Sequence, residues 1–404
     1  MALLKPFTGL RPAAGRAGEV LAPPYDVLNS AEARQQAEGK PHSFLHVSKP
    51  EIDLPADTDP YADAVYAQGA ANLSALQHSG VLRRDATPCF YVYQLEMQGR
   101  VQTGVVAAAS VAGYDAGDIR RHEFTRPDKE NDRVRHIETL DAQTGPVFLI
   151  YRSEARLNAL LAEAASGPAD AEAELQGVRH SLWVVQQPEQ VAAFEAAIGD
   201  LDRLYVADGH HRSAAASRVA ASRPGDPAAQ WFLTVTFPHD QVHILDYNRV
   251  LGDLHGRTPQ QFLDALRERA SVTPADAPVA PDQRHVYGLY VDGGWYRVQV
   301  PDSAVPVDPV GRLAVSVLHD HLIEPVLDIS DPRRDPRIDF VGGIRGLGEL
   351  ERRVDSGEMA AAFSLHPTSL EDLMAVADSG AVMPPKSTWF EPKLADGMVT
   401  YLLR

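Results

Sequence analysis

The chain has 404 residues, 44% apolar and 23% charged, which excludes global disorder and exceeds what one typical core holds. A formal net charge of −17 opposes binding to a duplex or an anionic membrane surface. A single cysteine, Cys89, excludes an intramolecular disulfide and a cysteine-rich zinc centre, and its apolar run Cys89–Tyr93 reads as core.

The first seven residues lack the apolar stretch of a signal peptide, and no run of about 18 apolar residues occurs. The expectation is a soluble, cytoplasmic chain. Pro23-Pro24-Tyr25-Asp26 excludes helix interior. Ser30–Gly39 reads as a helix capped by Asn29 or Ser30, and Ser43–Val47 as a short strand. Tyr61–His78 reads as a helix, and 89–97 with 101–112 as a hairpin turning at Gln98-Gly99-Arg100. After the charged stretch Ile119–Glu138 come a strand at Val147–Tyr151 and a helix at Ser153–Ala165.

From Leu182 onward, strand and helix alternate: strands at 182–185, 203–207, 231–237 and 242–247, helices at 188–198, 211–222 and 259–270. A hairpin at 285–300, helices at 308–322 and 369–377, and strands at 361–365 and 398–403 complete the chain. The class predicted is α/β with an α+β periphery. Three parts are expected: an N-terminal α/β part over 1–166, a central α/β part over 167–275 and a C-terminal α+β part over 276–404.

One segment concentrates chemistry. The apolar strand ending in Ala207-Asp208-Gly209 runs at once into a helix that opens with His210-His211-Arg212-Ser213. The first turn of a helix has free N–H groups and a positive dipole end, so it attracts anions. Arg212 adds a fork suited to phosphate oxygens, the histidines move protons near neutral pH, and Asp208 can hold a metal ion or accept a proton. The plain alternative is a helix capped by Asp208 with a solvated polar face. A metal centre made by the His210-His211 pair alone is disfavoured, because adjacent histidines rarely face one ion.

Three further segments qualify. Arg120–Thr125, with His122, Glu123 and Thr125, and Lys129–Arg133 can supply a carboxylate base and cationic phosphate contacts such as Arg133; otherwise they form a solvated charged helix. Lys386-Ser387-Thr388, between prolines, suits an anionic ligand, or is a structural turn. Tyr25, Asp26 and His46 can touch a substrate, with rigid-turn and core roles equally available. Only six of the 38 basic residues are lysine, and four of them, Lys49, Lys129, Lys386 and Lys393, fall in Phe44–Glu51, Lys129–Arg133 and Met383–Leu394. His319-Asp320-His321 resembles a metal pair, but helical residues two apart do not face each other.

The Pro-Pro-Tyr-Asp start, Phe44-Leu45-His46-Val47, His122-Glu123, Ala207-Asp208-Gly209-His210-His211-Arg212 and Pro384–Thr388 together resemble the family called domain of unknown function 1015, over about 7–403. The junction at Val206–Ser213 also resembles free-serine kinases of the ParB/sulfiredoxin-like superfamily. That resemblance implies a ParB/sulfiredoxin-like core with an elaborated N-terminal part. It further implies phosphate binding by Gly209, His210, His211 and Arg212, with Asp208 at the reaction centre and an acidic residue earlier in the chain as base. Glu123 is the first candidate for that base and Asp208 the second, with Asp26 and Glu51 also open.

The function expected is transfer of a phosphoryl group from pyrophosphate or a nucleotide, with Mg²⁺ held at Asp208, to a small hydroxylated metabolite such as free L-serine. Gly209, Arg212, Ser213, Lys386, Ser387, Thr388 and Arg133 are the expected phosphate contacts. Tyr25, Asp26, His46, His122 and Thr125 are the expected acceptor contacts. The alternatives are a phosphatase acting on phosphoserine or a similar ester, and a ParB-like regulator binding nucleotide or nucleic acid. The acidic charge weighs against the regulator.

Overall fold

A computed structural model of the chain describes Ala2–Arg404, in two compact units: Met1–Val242 with Pro392–Arg404, and His243–Glu391. The boundary expected at 166 falls inside the first unit, because Val178–Val185 pairs along its length with Phe90–Met97. The boundary expected at 275 falls inside the second, where Ser271–Ala275 pairs with Gly294–Gln299. Pairings between segments so distant in sequence leave no local signal.

The first unit is built on a mixed sheet. Its order runs Ile119–Arg120, Leu204–Asp208, Val147–Tyr151, Trp231–Pro238, Arg100–Ser110, Phe90–Met97, Val178–Val185, Ala171–Leu175, with Leu4–Lys5 also beside Arg100–Ser110. Val147–Tyr151 is buried at every position, as expected of a strand covered on both faces. One cover includes Leu157, Leu161, Phe194, Ile198, Ala216 and Ala220, from the helices Ala155–Ala164, Pro188–Gly199 and His210–Ser222. A second core gathers Phe44, Val47, Leu73, Leu76 and Leu140. Its helix Ser30–Ala37 begins with a reciprocal capping box between Asn29 and Glu32, a motif worth roughly 1 kcal/mol.

The second unit carries a six-stranded sheet whose pairings are all antiparallel: Ser271–Ala275, Gly294–Gln299, Val286–Val291, Ala361–Leu365, Tyr247–Leu251, Ile338–Gly342. Val250, Tyr290, Trp295, Val341, Leu350 and Ala362 form its core cluster. The expected class, α/β with an α+β C-terminal region, matches the architecture.

Several elements differ from expectation. Ser43–Val47 is not a strand: Leu45–Ser48 is a helical turn, with the Ser48 N–H bonded to the Phe44 carbonyl. Its apolar residues are buried, and a short apolar run looks the same in either state. The strand expected at 242–247 divides into His243–Leu245 and Tyr247–Leu251, broken at Asp246, whose carbonyl accepts the Gly343 N–H. The helix expected over 308–322 begins only at Ala314, and Leu318–Ile323 is a π-helical turn. The last strand shrinks to Tyr401–Leu402, paired with Ala142–Gln143. Among the described residues no helix is long and apolar enough to cross a membrane.

Candidate active site

The strand Leu204–Asp208 loses register with Val147–Tyr151 between Val206 and Asp208, and such an irregularity re-aims the side chain that follows it. Gly209 then turns the chain at φ +97°. A Cβ there would lie 3.2 Å from Arg212 Nε and 3.3 Å from Val147 Cα, so the junction requires glycine. The helix His210–Ser222 starts with no side-chain cap, which leaves its first N–H groups available to an anion.

Arg212 is buried beneath this turn. One terminal nitrogen donates to the Pro146 carbonyl and the other to Asp208 Oδ2 at 3.0 Å, with Asp26 Oδ2 at 3.8 Å. Its Nε has no hydrogen-bond partner among the described residues. Burial opposes its charge, but Asp26 and Asp208 outweigh burial and hold the guanidinium above its usual range. Burial likewise pushes the Asp208 carboxyl up, while Lys393 and Arg212 overcome it and hold it at about 2. Asp208 is therefore ionised at any working pH.

A small cavity of about 20 Å³ lies behind the junction, lined by residues that include Tyr25, Arg133, His136, Gly145 and Arg212. It has room for one or two water molecules. Arg133 stacks 3.8 Å over the Tyr25 ring and donates twice to Asp132 Oδ2, at 2.9 and 2.7 Å, while Tyr66 Oη donates to Asp132 Oδ1 at 2.8 Å. Tyr25 is pushed up to about 12, by burial first, and so stays a neutral donor. Asp396 lies beside this wall, because a Cβ on Gly145 would sit 3.1 Å from its Oδ1 and 3.5 Å from Arg212 Cδ. It is buried, and neither carboxyl oxygen has a close hydrogen-bond partner among the described residues, although the Ser48 side chain acts on it as a donor. Burial, opposed by Arg212 and reinforced by Asp26, pushes its carboxyl up to about 7.

Sequence reasoning missed Asp396 and Gly145 and gave Lys393 no role. A signal for Asp396 was present: Ala395-Asp396-Gly397 repeats Ala207-Asp208-Gly209, and Gly397 is left-handed like Gly209, at φ +91°.

His122 and Glu123 do meet the junction. Ile119–Arg120 runs parallel to Leu204–Tyr205, so the segments leaving these two strands emerge side by side. The His122 and His210 rings lie 4.6 Å apart, nearly perpendicular, and Glu123 Oε2 is 3.5 Å from His210 Nδ1. Desolvation lowers His122 to about 4 and His210 well below its usual value, so both rings are neutral. His211 Nε2 accepts the Arg126 backbone N–H at 3.1 Å.

His46, Thr125, Ser213 and Glu51 have local partners. His46 spends both ring nitrogens on Asp53 and the Lys40 carbonyl. Thr125 donates to Glu130, and fully buried Ser213 bonds back to the His210 carbonyl within its own helix. Glu51 is held by Ser30 and Lys49. Lys386, Ser387 and Thr388 belong to the second unit, where Lys386 Nζ lies 5.6 Å from the Tyr247 ring centroid and Ser387 donates to the Pro384 carbonyl.

A family model described as a protein of unknown function (DUF1015) matches residues 4–316. The chain belongs to the DUF1015 family. The match includes the whole Asp208–Arg212 junction and His122-Glu123, so the clustered residues of this DUF1015 protein all lie within it except Lys393 and Asp396. Among solved structures it is similar to a free serine kinase variant in complex with AMP, at 13% identity and TM-score 0.36, covering 71% of this chain and 86% of that one. A conserved hypothetical protein from Pyrococcus furiosus is similar at 14% and 0.34, over 72% and 93%. SbnI with a C-terminal truncation, from Staphylococcus aureus, is similar at 12% and 0.31, over 72% and 84%. A search of curated proteins finds no match.

Proposed function

We propose that this DUF1015 protein transfers a phosphoryl group to the hydroxyl of a small metabolite, with free L-serine as the first acceptor to test and pyrophosphate or a nucleotide as donor. The observation that carries this reading is the buried Arg212 guanidinium, its Nε unpartnered, beneath an uncapped helix N-terminus. Fixed donors of this kind bind phosphate oxygens and stabilise charge that builds on them during transfer. Phosphates held by these donors would lie over Gly209 and the first helical turn.

Asp208 fits the expected Mg²⁺. It is ionised and engages Arg212 through Oδ2, and such an ion is commonly held by one or two carboxylates together with substrate phosphates. Bound there, the ion would neutralise phosphate charge.

In the reaction the acceptor hydroxyl oxygen forms a bond to phosphorus as the bond to the leaving phosphate breaks. The hydroxyl proton passes to a carboxylate. We assign that role to Asp396 rather than to Glu123 or Asp208. Asp208 at about 2 is a poor proton acceptor, whereas Asp396 at about 7 is matched to neutral pH. Asp396 also lies beside Arg212, across the space next to Gly145.

Phosphorus NMR tests this directly, with Mg²⁺ and L-serine and with pyrophosphate, ADP or ATP in separate tubes. A phosphoserine resonance in one tube is the expected result and names the donor. Silence in all three, with phosphate released from added phosphoserine, would turn the reading to a phosphatase. Silence throughout, across a panel of hydroxylated metabolites, would overturn phosphoryl transfer.

A further inference from the structure

The junction brings together three groups that phosphate binding does not use. His122, Glu123 and His210 each offer one ligand atom, and these atoms lie within 4.8 Å of one another. Both imidazoles are almost fully buried, at 2% and 4% exposure, whereas the Glu123 side chain is half exposed. His122 Nδ1 and His210 Nε2 have no hydrogen-bond partner among the described residues. Leaving a buried polar atom unsatisfied costs roughly 1–3 kcal/mol, so each ring keeps a nitrogen that a ligand would satisfy.

The surroundings support a metal ion. His122 hydrogen-bonds to the Val206 backbone, and with Nδ1 unpartnered the bond falls to Nε2. Donation of one ring N–H to a carbonyl is the usual outer contact of a ligating histidine: it fixes the tautomer and leaves the other nitrogen's lone pair for the metal.

We propose that His122, Glu123 and His210 form a binding site for a borderline divalent transition-metal ion such as Zn²⁺ or Fe²⁺. Two imidazoles and one carboxylate suit such ions, while Mg²⁺ prefers oxygen ligands throughout. The site is thus distinct in chemistry from the Mg²⁺ expected at Asp208. Three protein ligands leave coordination positions open to water or to an oxygen of an anionic substrate. Glu123 accordingly acts here as a ligand and not as the proton acceptor. The proposal concerns binding and stands whether or not the protein transfers phosphate.

The test uses the full chain, stripped with a chelator and titrated with Co²⁺, reading visible ligand-field absorbance and stoichiometry by calorimetry. One equivalent is expected to bind with the intense visible bands of a low-coordinate site. His122→Ala and His210→Ala are expected to abolish the bands. Glu123→Gln, at an exposed side chain and so a safe variant for folding, is expected to weaken binding at least about tenfold, the lower end of what even an outer-contact mutation costs. Circular dichroism identifies any variant that fails to fold. Binding unchanged in Glu123→Gln and in a folded histidine variant would overturn the site, as would a folded wild-type chain that takes up no Co²⁺. Neither readout depends on serine or on any phosphate donor.

Discussion

Each unit of the molecule contains a group of three side chains with metal-ligating atoms close together: His122, Glu123 and His210 in the first, and His319, Asp320 and Glu324 in the second. The residue types nearly match, but the settings do not. In the first group two rings are buried with unpartnered nitrogens. In the second, His319 is half-buried and both acids are exposed, so water satisfies them without an ion. The second group also owes its proximity to local geometry, since the π-helical turn at Leu318–Ile323 places its members along one segment. Two strand ends far apart in sequence build the first. Closeness alone therefore does not distinguish a site; burial of unsatisfied donors does.

The largest effect is expected from Arg212→Ala. It removes the buried guanidinium beneath the helix N-terminus and leaves Asp208 uncompensated, so phosphoryl transfer should fall by about 10²–10³ in initial rate. Arg212→Lys, which keeps the charge but not the fork, should recover only part of that loss. Full activity in the alanine variant would move the site elsewhere.

Asp396→Asn should reduce the rate by about 10²–10⁴, the usual scale of general-base catalysis. It should also raise thermal stability at pH 8. The sign follows from linkage: Asp396 titrates at about 7 when folded and near 3.8 otherwise, so its burial destabilises the protein increasingly as pH rises from about 4 to 7. A rate loss without the stability gain would point to misfolding rather than to proton transfer.

Gly145→Ala places a methyl group between Asp396 and Arg212, and a drop of about tenfold or more in rate with little change in melting temperature is expected if that space is used. Acid pH supplies a smaller, structural effect on the first unit. His136 and His180 are held at about 4, chiefly by burial, against 6.5 in the unfolded chain. Stability from both is present above about 6.5 and is lost as pH falls toward 4, which a melting series from pH 8 to 4 will read. Last, His319→Ala should leave Co²⁺ affinity and transfer rate unchanged within about twofold; a larger change would erase the distinction between the two groups.

Much of this was legible beforehand. Asp208–Arg212 was recognisable because a strand, a glycine and a helix of good formers follow one another within a few residues, and local pattern encodes each. His122 and Glu123 were singled out, as an acceptor contact and a candidate base; their neighbours were invisible because the parallel pairing of Ile119–Arg120 with Leu204–Tyr205 is non-local. His46 and Thr125 were legible as polar residues in motifs, yet packing gave them local partners. The turn at Leu45–Ser48 was misread because four apolar-rich residues carry no usable period.

Sequence by itself determined the α/β class, the long helices with their caps, and the glycine-hinged junction that offers helix N–H groups to an anion. These depend on propensity, periodicity and backbone sterics, which act over a few residues. Tertiary structure alone decided that Asp396, at the far end of the chain, lies against Arg212, and that two histidines 88 positions apart share one buried pocket of unpaired nitrogens. Desolvation and mutual charge set the ionisation of those groups, and both depend on what folding brings within a few ångströms.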